Sequence, residues 1–280
     1  MKIDPRPKDT CNLVDLPYTA SAQHNPNLQI CRNIGYRPNS NIVGYQQVTI
    51  PAGYTIMTPT FQNVDATSFD LTAVIPLRND GSVFGTDRTT RCNGAITIQK
   101  MSDSGNYTAA YSYYYMEGKI GWYDGSGTAV TAGSVTFSDG EAMLVNNQYK
   151  NTSVLFQVSG AVNLINQNIV PAGYSLFGNS TPVTVNLSAV EMRKNDGEVF
   201  GTDRATRCNG AITIQKITTG GNYSTAYSYY YMDGKIGWYD GDGTKVENDS
   251  VTLTPGEAFL VNNQYKGVAV MIVLPSPITE

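Results

Sequence analysis

The chain states one long motif twice. Residues 83–100 read VFGTDRTTRCNGAITIQK and residues 199–216 read VFGTDRATRCNGAITIQK, differing only at Thr89/Ala205. At the same offset of 116 residues, YSYYYMEGKIGWYDG (111–125) returns as YSYYYMDGKIGWYDG (227–241), and EAMLVNNQYK (141–150) returns as EAFLVNNQYK (257–266). A unit of roughly 115 residues is long enough to close its own core and far longer than a solenoid repeat, so the repeat predicts whole domains in tandem. The division expected is an arm over 1–40, a first β-domain over 41–160 and a second over 161–280.

Composition points to strands. Charged residues make up only 15 % of the chain, alongside 27 Gly, 19 Tyr and 13 Pro, a balance that suits an all-β protein with many turns. The net charge is −4, and the cations are scattered, which argues against nucleic acid as a partner. No stretch is long and apolar enough to predict a transmembrane helix. The opening MKIDPRPKDT lacks an apolar core and does not read as a secretory signal. A signal already removed, or assembly in the cytosol, are the two readings left.

Short strands recur with turn signals between them. Pro51-Ala52-Gly53 and Pro171-Ala172-Gly173 each turn a hairpin. Asn79-Asp80-Gly81, Glu117-Gly118, Asp124-Gly125-Ser126-Gly127 and their repeat-two counterparts supply residues that tolerate positive φ. Ile96 and Ile98 alternate with Thr97 and Gln99, the pattern of a half-buried strand. Residues 70–75 and 186–192 read as one helical turn or a short strand. The apolar run 268–274 predicts a central strand covered on both faces. The fold expected is two tandem antiparallel β-sandwiches, or small barrels, behind an extended arm.

The arm holds Pro5, Pro7, Pro17, Pro26 and Pro38 and no sustained period. Such a segment cannot fold alone, so it is expected to lie on a partner surface, with a neighbouring subunit favoured over its own domains. The cysteines sit at 11, 31, 92 and 208, spacings that fit no zinc pattern. A Cys11–Cys31 staple of the arm, a Cys92–Cys208 link between repeats, and four reduced thiols are the alternatives.

Candidate chemistry is thin. His24, in the arm, is the one histidine, which excludes histidine-based triads from the repeats. Asp87, Asp124 and Glu141 recur as Asp203, Asp240 and Glu257. A glycosidase needs such a pair across a sugar ring, but ion pairs and turn capping explain them more simply. The Asp-Gly-x-Gly loops lack the full ligand set of a calcium loop. No catalytic residue, metal ligand or cofactor is therefore expected. In the TDR loops, Arg88 or Arg91 is expected to pair with Asp87, and Arg204 or Arg207 with Asp203. The loop is then either self-supporting or a repeated patch gripping an acidic or carbonyl-rich partner.

Period two in YSYYY places Tyr111, Tyr113 and Tyr115 on one face and Tyr114 on the other. Trp122 and Tyr123 return on the adjacent strand. An outward set drawn from Tyr114, Trp122 and Tyr123, with Tyr230, Trp238 and Tyr239 in the second copy, would anchor a protein interface or stack on a glycan. A cross-strand aromatic ladder is the simpler reading.

The opening VGYQQVTIPAGYTIM, the central GWYDG and the closing PGEAFLVNN resemble uncharacterised tandem β-repeat proteins of bacterial surfaces. The resemblance spans most of 41–274, rests on turn and core residues, and implies a small β-domain with no known activity. The function expected is a non-catalytic structural subunit of a filament, sheath or virion, extracellular or virion-borne. It would assemble with copies of itself or other subunits through the arm and the duplicated domains. The alternative is a bivalent glycan-binding module, with a glycoside-active enzyme third.

Overall fold

The computed structural model describes residues 43–62, 68–102, 104–162, 167–217 and 222–275, with the backbone of 12–13 and 28–32. Regular structure there is strand, apart from two single 3-10 turns, Leu71–Ala73 and Leu187–Ala189. These sit where the sequence left a choice between a helical turn and a strand.

The arm contributes β1 (Asn12–Leu13) and β2 (Leu28–Arg32). The first repeat contributes β3 (Val43–Ile50), β4 (Gly53–Met57), β5 (Phe61–Gln62), β6 (Ser68–Asp70), β7 (Ile75–Arg78), β8 (Cys92–Gln99) and β9 (Tyr111–Met116). It continues with β10 (Lys119–Tyr123), β11 (Thr136–Ser138), β12 (Met143–Asn147) and β13 (Val154–Val162). The second repeat contributes β14 (Gln167–Val170), β15 (Gly173–Gly178), β16 (Val185–Asn186), β17 (Glu191–Lys194) and β18 (Cys208–Lys216). It closes with β19 (Tyr227–Met232), β20 (Lys235–Tyr239), β21 (Thr252–Leu253), β22 (Ala258–Asn263) and β23 (Val270–Val273).

Every strand pairing is antiparallel, as short turns demand. Each repeat sets a five-stranded sheet, β10-β9-β8-β12-β4 or β20-β19-β18-β22-β15, against a second sheet centred on β13 or β23. The space between the layers is the core: Trp122, Tyr113, Phe84, Phe137 and Phe156 in one repeat, Trp238, Tyr229, Phe200 and Phe259 in the other. Both indole N–H groups donate to backbone carbonyls, Trp122 to Val74 and Trp238 to Val190, so burial leaves neither donor unpaired. The expected hairpins at Pro51-Ala52-Gly53 and Pro171-Ala172-Gly173 are corrected: β3 and β4, like β14 and β15, lie in different sheets, so each turn carries the chain across from one layer to the other. Asn147 and Asn263 are buried but satisfied, each amide joining that crossing turn to the turn after β12 or β22. β23 is central, between β14 and β17, but its burial alternates, so the double coverage expected from its apolar run is corrected to one buried face. Met271 and Val273 face the half-exposed side.

Two expectations about the arm and the cysteines change. β2 pairs with β3, Leu28 opposite Gln46 through Cys31 opposite Val43. The arm thus lies on its own first repeat, because β3 offers it an open strand edge a few residues away. Cys92 and Cys208 are free thiols in separate cores, each donating to a carbonyl of its own sheet, Tyr113 or Tyr229, at 3.4 Å. No bond links the repeats there. Cys11 lies outside the described residues.

The repeats meet through a third apolar cluster: Ile56, Ala142 and Leu144 from the first, Leu176, Ala258 and Leu260 from the second. These are three pairs of equivalent positions. The backbone contacts are reciprocal too. Met57 bridges Glu257, and its counterpart Phe177 bridges Glu141. Contact of one patch with its own copy is the signature of a twofold axis, here inside a single chain.

Candidate functional site

The outer face of the β8-β9-β10 sheet is built alike in both repeats, from the same residues on the three strands. Trp122 stands opposite Tyr113 and Tyr123 opposite Ser112; alternation therefore sends Trp122 inward and Tyr123 outward. Trp122 and Trp238 are only 3 % and 1 % exposed, which corrects their assignment as surface contacts: they share the parity of the core tyrosines. Tyr114 and Tyr123 do face outward, with ring centroids 5.5 Å apart edge to face. Tyr230 and Tyr239 repeat this at 5.4 Å.

A residue that the sequence reading passed over organises this face. Lys119 places its ammonium 3.6 Å from the Tyr114 ring centroid and 4.3 Å from that of Tyr123. Lys235 does the same with Tyr230 and Tyr239, at 3.7 and 4.3 Å. The hairpin turn at Glu117-Gly118 brings Lys119 opposite Met116, diagonal to Tyr114, within reach of a long side chain. That diagonal was the available signal. Tyr114 also lies over Gly94, where a Cβ would come 2.9 Å from the ring tip. Gly94 has φ +72° and sits in the register shift between Asn93 and Ile96, so both the bulge and the ring need glycine there.

The TDR loop is ordered by hydroxyls and amides instead of arginine. Asp87 accepts from the amides of Thr89 and Thr90 at 2.8 and 3.1 Å and from both threonine hydroxyls. These donors hold its carboxyl well below the usual carboxylate range. The expected pairing with Arg88 or Arg91 is thereby corrected: closer local donors fill the carboxylate. Asp203 is held likewise by Ala205 and Thr206. Among the described residues the ion pairs involve Arg78, Lys100, Arg193, Lys194 and Lys216, and none uses Arg88, Arg91, Arg204 or Arg207. Arg88 and Arg204 are exposed; Arg91 and Arg207 are partly so. Lys150 and Lys266 donate to carbonyls of the same loops, adding a third cation to each.

The other repeated carboxylates hold backbone in place. Asp124 accepts from the amides of Ser126 and Thr128, and Asp240 from those of Asp242 and Thr244. Glu141 pairs with Lys100 at 2.9 Å and accepts from the Ser138 amide; Glu257 pairs with Lys216 at 2.7 Å and accepts from Thr254. Among the described residues no three His, Cys, Asp or Glu side chains gather as metal ligands do. A groove of about 530 Å³ opens at the junction of the repeats, between the Lys100–Glu141 ion pair and the edge of β15 at Ser175 and Phe177. No described helix is long and apolar enough to cross a membrane.

No protein-family model, no curated protein and no solved structure matches the chain. Function therefore rests on this geometry.

Proposed function

We propose that the protein is a non-catalytic structural subunit of a larger assembly, a filament, sheath or virion component, joined through its arm and its duplicated β-domains. The observation that carries the reading is the arm strand on β3. Strand addition is made by backbone groups, so every copy of the chain offers the same edge and the same strand to every other copy. Exchange of such an element between copies is a low-cost route to association.

Two further features support it. The outer edges of β10 and β20 are closed from within: Val130 donates to Trp122 and Val246 to Trp238, which protects them against indiscriminate pairing. The repeated carboxylates bind their own loops and strands, a supporting role in place of a reactive one. The in-chain twofold then holds two copies of one outer surface in a fixed relation, suited to meeting two neighbours with one chemistry.

The test is sedimentation of the full chain against a chain beginning at residue 41, across a concentration series. The full chain should form polymers or closed oligomers, and the shortened chain should remain a folded monomer. Assembly by the shortened chain would contradict the proposal.

A further inference from the structure

The two repeats match most closely over β8, β9, β10 and the loop before them, and differ more in the rest of their cores. In the cores, Phe69 answers to Val185, Phe137 to Leu253, Met143 to Phe259 and Phe156 to Ile272, all of them at most 2 % exposed. Over β8-β9-β10 and the TDR loop the match covers both faces: the buried Cys92/Cys208, Ile96/Ile212, Ile98/Ile214, Tyr113/Tyr229 and Trp122/Trp238 are the same in both copies. So are the outward Arg88/Arg204, Arg91/Arg207, Asn93/Asn209, Thr97/Thr213, Ser112/Ser228, Tyr114/Tyr230, Lys119/Lys235 and Tyr123/Tyr239, while the exposed Thr89/Ala205 and Glu117/Asp233 differ. Packing ordinarily restrains the interior and leaves the surface free to drift. Packing accounts for the buried matches; the outward cations and polar groups are retained beside them in both copies.

From this pattern we infer that each outer sheet face is a binding site for an acidic polysaccharide, carrying carboxylate or sulfate groups, and that the chain is bivalent for it. The register lays out the site in rows. Arg91 precedes Cys92, which stands opposite Tyr115, so Arg91 falls in the row of Met116, whose partner on β10 is Lys119. Two strand spacings put the two cationic positions on the order of 10 Å apart. The next row is Asn93, Tyr114 and Gly121; nothing lies within 4 Å of where a Gly121 side chain would begin, and at the equivalent Gly237 the Lys245 side chain, a further cation, comes to 3.7 Å. The third is Thr97, Ser112 and Tyr123.

Cations without carboxylate partners face outward in a chain of net charge −4, and they are bordered by amide and hydroxyl groups. Guanidinium groups bind carboxylate and sulfate oxygens, while the Asn, Thr, Ser and Tyr groups match sugar hydroxyls. An acidic peptide fits less well. This is a sheet face, so it offers no strand edge for peptide backbone. Two identical sites in fixed relation suit a ligand that repeats along its length.

The test uses the dilute full chain at physiological ionic strength, with immobilised polygalacturonate and dextran sulfate as the carboxylated and sulfated probes. Neutral dextran, polyglutamate and single-stranded DNA serve as comparisons. At least one acidic polysaccharide should bind at least about tenfold more tightly than every comparison, with affinity falling as salt rises. Changing Arg88→Gln and Arg91→Gln in one repeat should weaken binding by about tenfold or more as bivalency is lost; adding Arg204→Gln and Arg207→Gln should abolish it, with the circular dichroism spectrum unchanged. Equal binding to polyglutamate or DNA, no binding to either acidic polysaccharide, or unchanged binding by the fourfold variant would overturn the inference. Assembly is read separately by sedimentation, so failure of either idea leaves the other standing.

Discussion

The hydroxyls of Tyr107 and Tyr223 lie 3.3 Å apart. They are the same residue of the two repeats, so their contact marks where the in-chain twofold axis passes. Burial and the facing hydroxyl both push the Tyr107 phenol well above its ordinary range. A phenol whose folded value is raised contributes stability that is complete below its unfolded value and is lost as pH rises. Absorbance titration should therefore show tyrosines that ionise only above the ordinary range, Tyr107 among them with Tyr113 and Tyr229, which burial pushes up to about 12, and Tyr223→Phe should move one tyrosine, Tyr107, back toward the ordinary range. An unchanged titration in that variant would separate the two hydroxyls.

The junction of the repeats depends on glycine. A Cβ on Gly178 would come 2.6 Å from the Thr58 methyl, 2.7 Å from Ala258 Cβ and 2.8 Å from the Glu257 carbonyl oxygen. Ala258 and Glu257 belong to one neighbouring segment of the same repeat, at the start of β22, and Thr58 belongs to the other repeat. Gly178→Val is expected to cost about 2 kcal/mol or more through overpacking, and calorimetry should resolve two transitions as the repeats uncouple. Gly125→Val, whose Cβ meets nothing within 4 Å, is the matched control and should leave a single transition.

The buried thiols make a pH prediction. Burial pushes Cys92 and Cys208 up to about 11 from an ordinary 9.0. Because the folded values are raised, their contribution is intact below the unfolded value and is lost as pH climbs toward 11. Native protein at pH near 8 should give no reaction at these positions with a thiol reagent, and denatured protein should give full reaction. Rapid native labelling would place the thiols outside the cores.

Lys119 stabilises the outer face through two rings at once. Removing it by Lys119→Ala should cost about 1 kcal/mol in denaturant unfolding, the scale of a partly exposed cation–aromatic contact. Lys119→Arg should retain most of that. Equal losses in the two variants would assign the effect to side-chain packing.

Much of the fold is written in local pattern. Ile96 and Ile98 announce an inward face and Asn-Asp-Gly and Glu-Gly announce turns; 70–75 left a helical turn or a strand open, and the turn forms at Leu71–Ala73 with Asp70 capping it through the Thr72 amide. Parity also placed Tyr113 and Tyr114 on opposite faces. It left Trp122 and Tyr123 as alternatives for the outward position, since their strand gives no internal clue to which of two large aromatics turns inward. The partner of Lys119 depends on hairpin register, which a two-residue turn does encode. The reciprocal contact of Met57 with Glu257 and of Phe177 with Glu141 could not be read locally, because Ile56, Leu144 and Ala142 look like ordinary strand residues until the second copy covers them. Asp87 shows the reverse error: adjacent arginines suggest ion pairs, but the threonine amides and hydroxyls are nearer and already aligned.

The proposed assembly requires the arm strand of one copy to leave its own β3 and pair with the β3 of the next. Gln29 stands opposite Tyr45 in the β2–β3 pairing. Gln29→Cys with Tyr45→Cys, in a chain with Cys11 and Cys31 changed to Ser, should oxidise under assembly conditions to a ladder of covalent multimers on a denaturing gel. A single monomer band carrying the new disulfide, at concentrations where the unmodified protein assembles, would show that the arm never leaves its own chain and would contradict the claim.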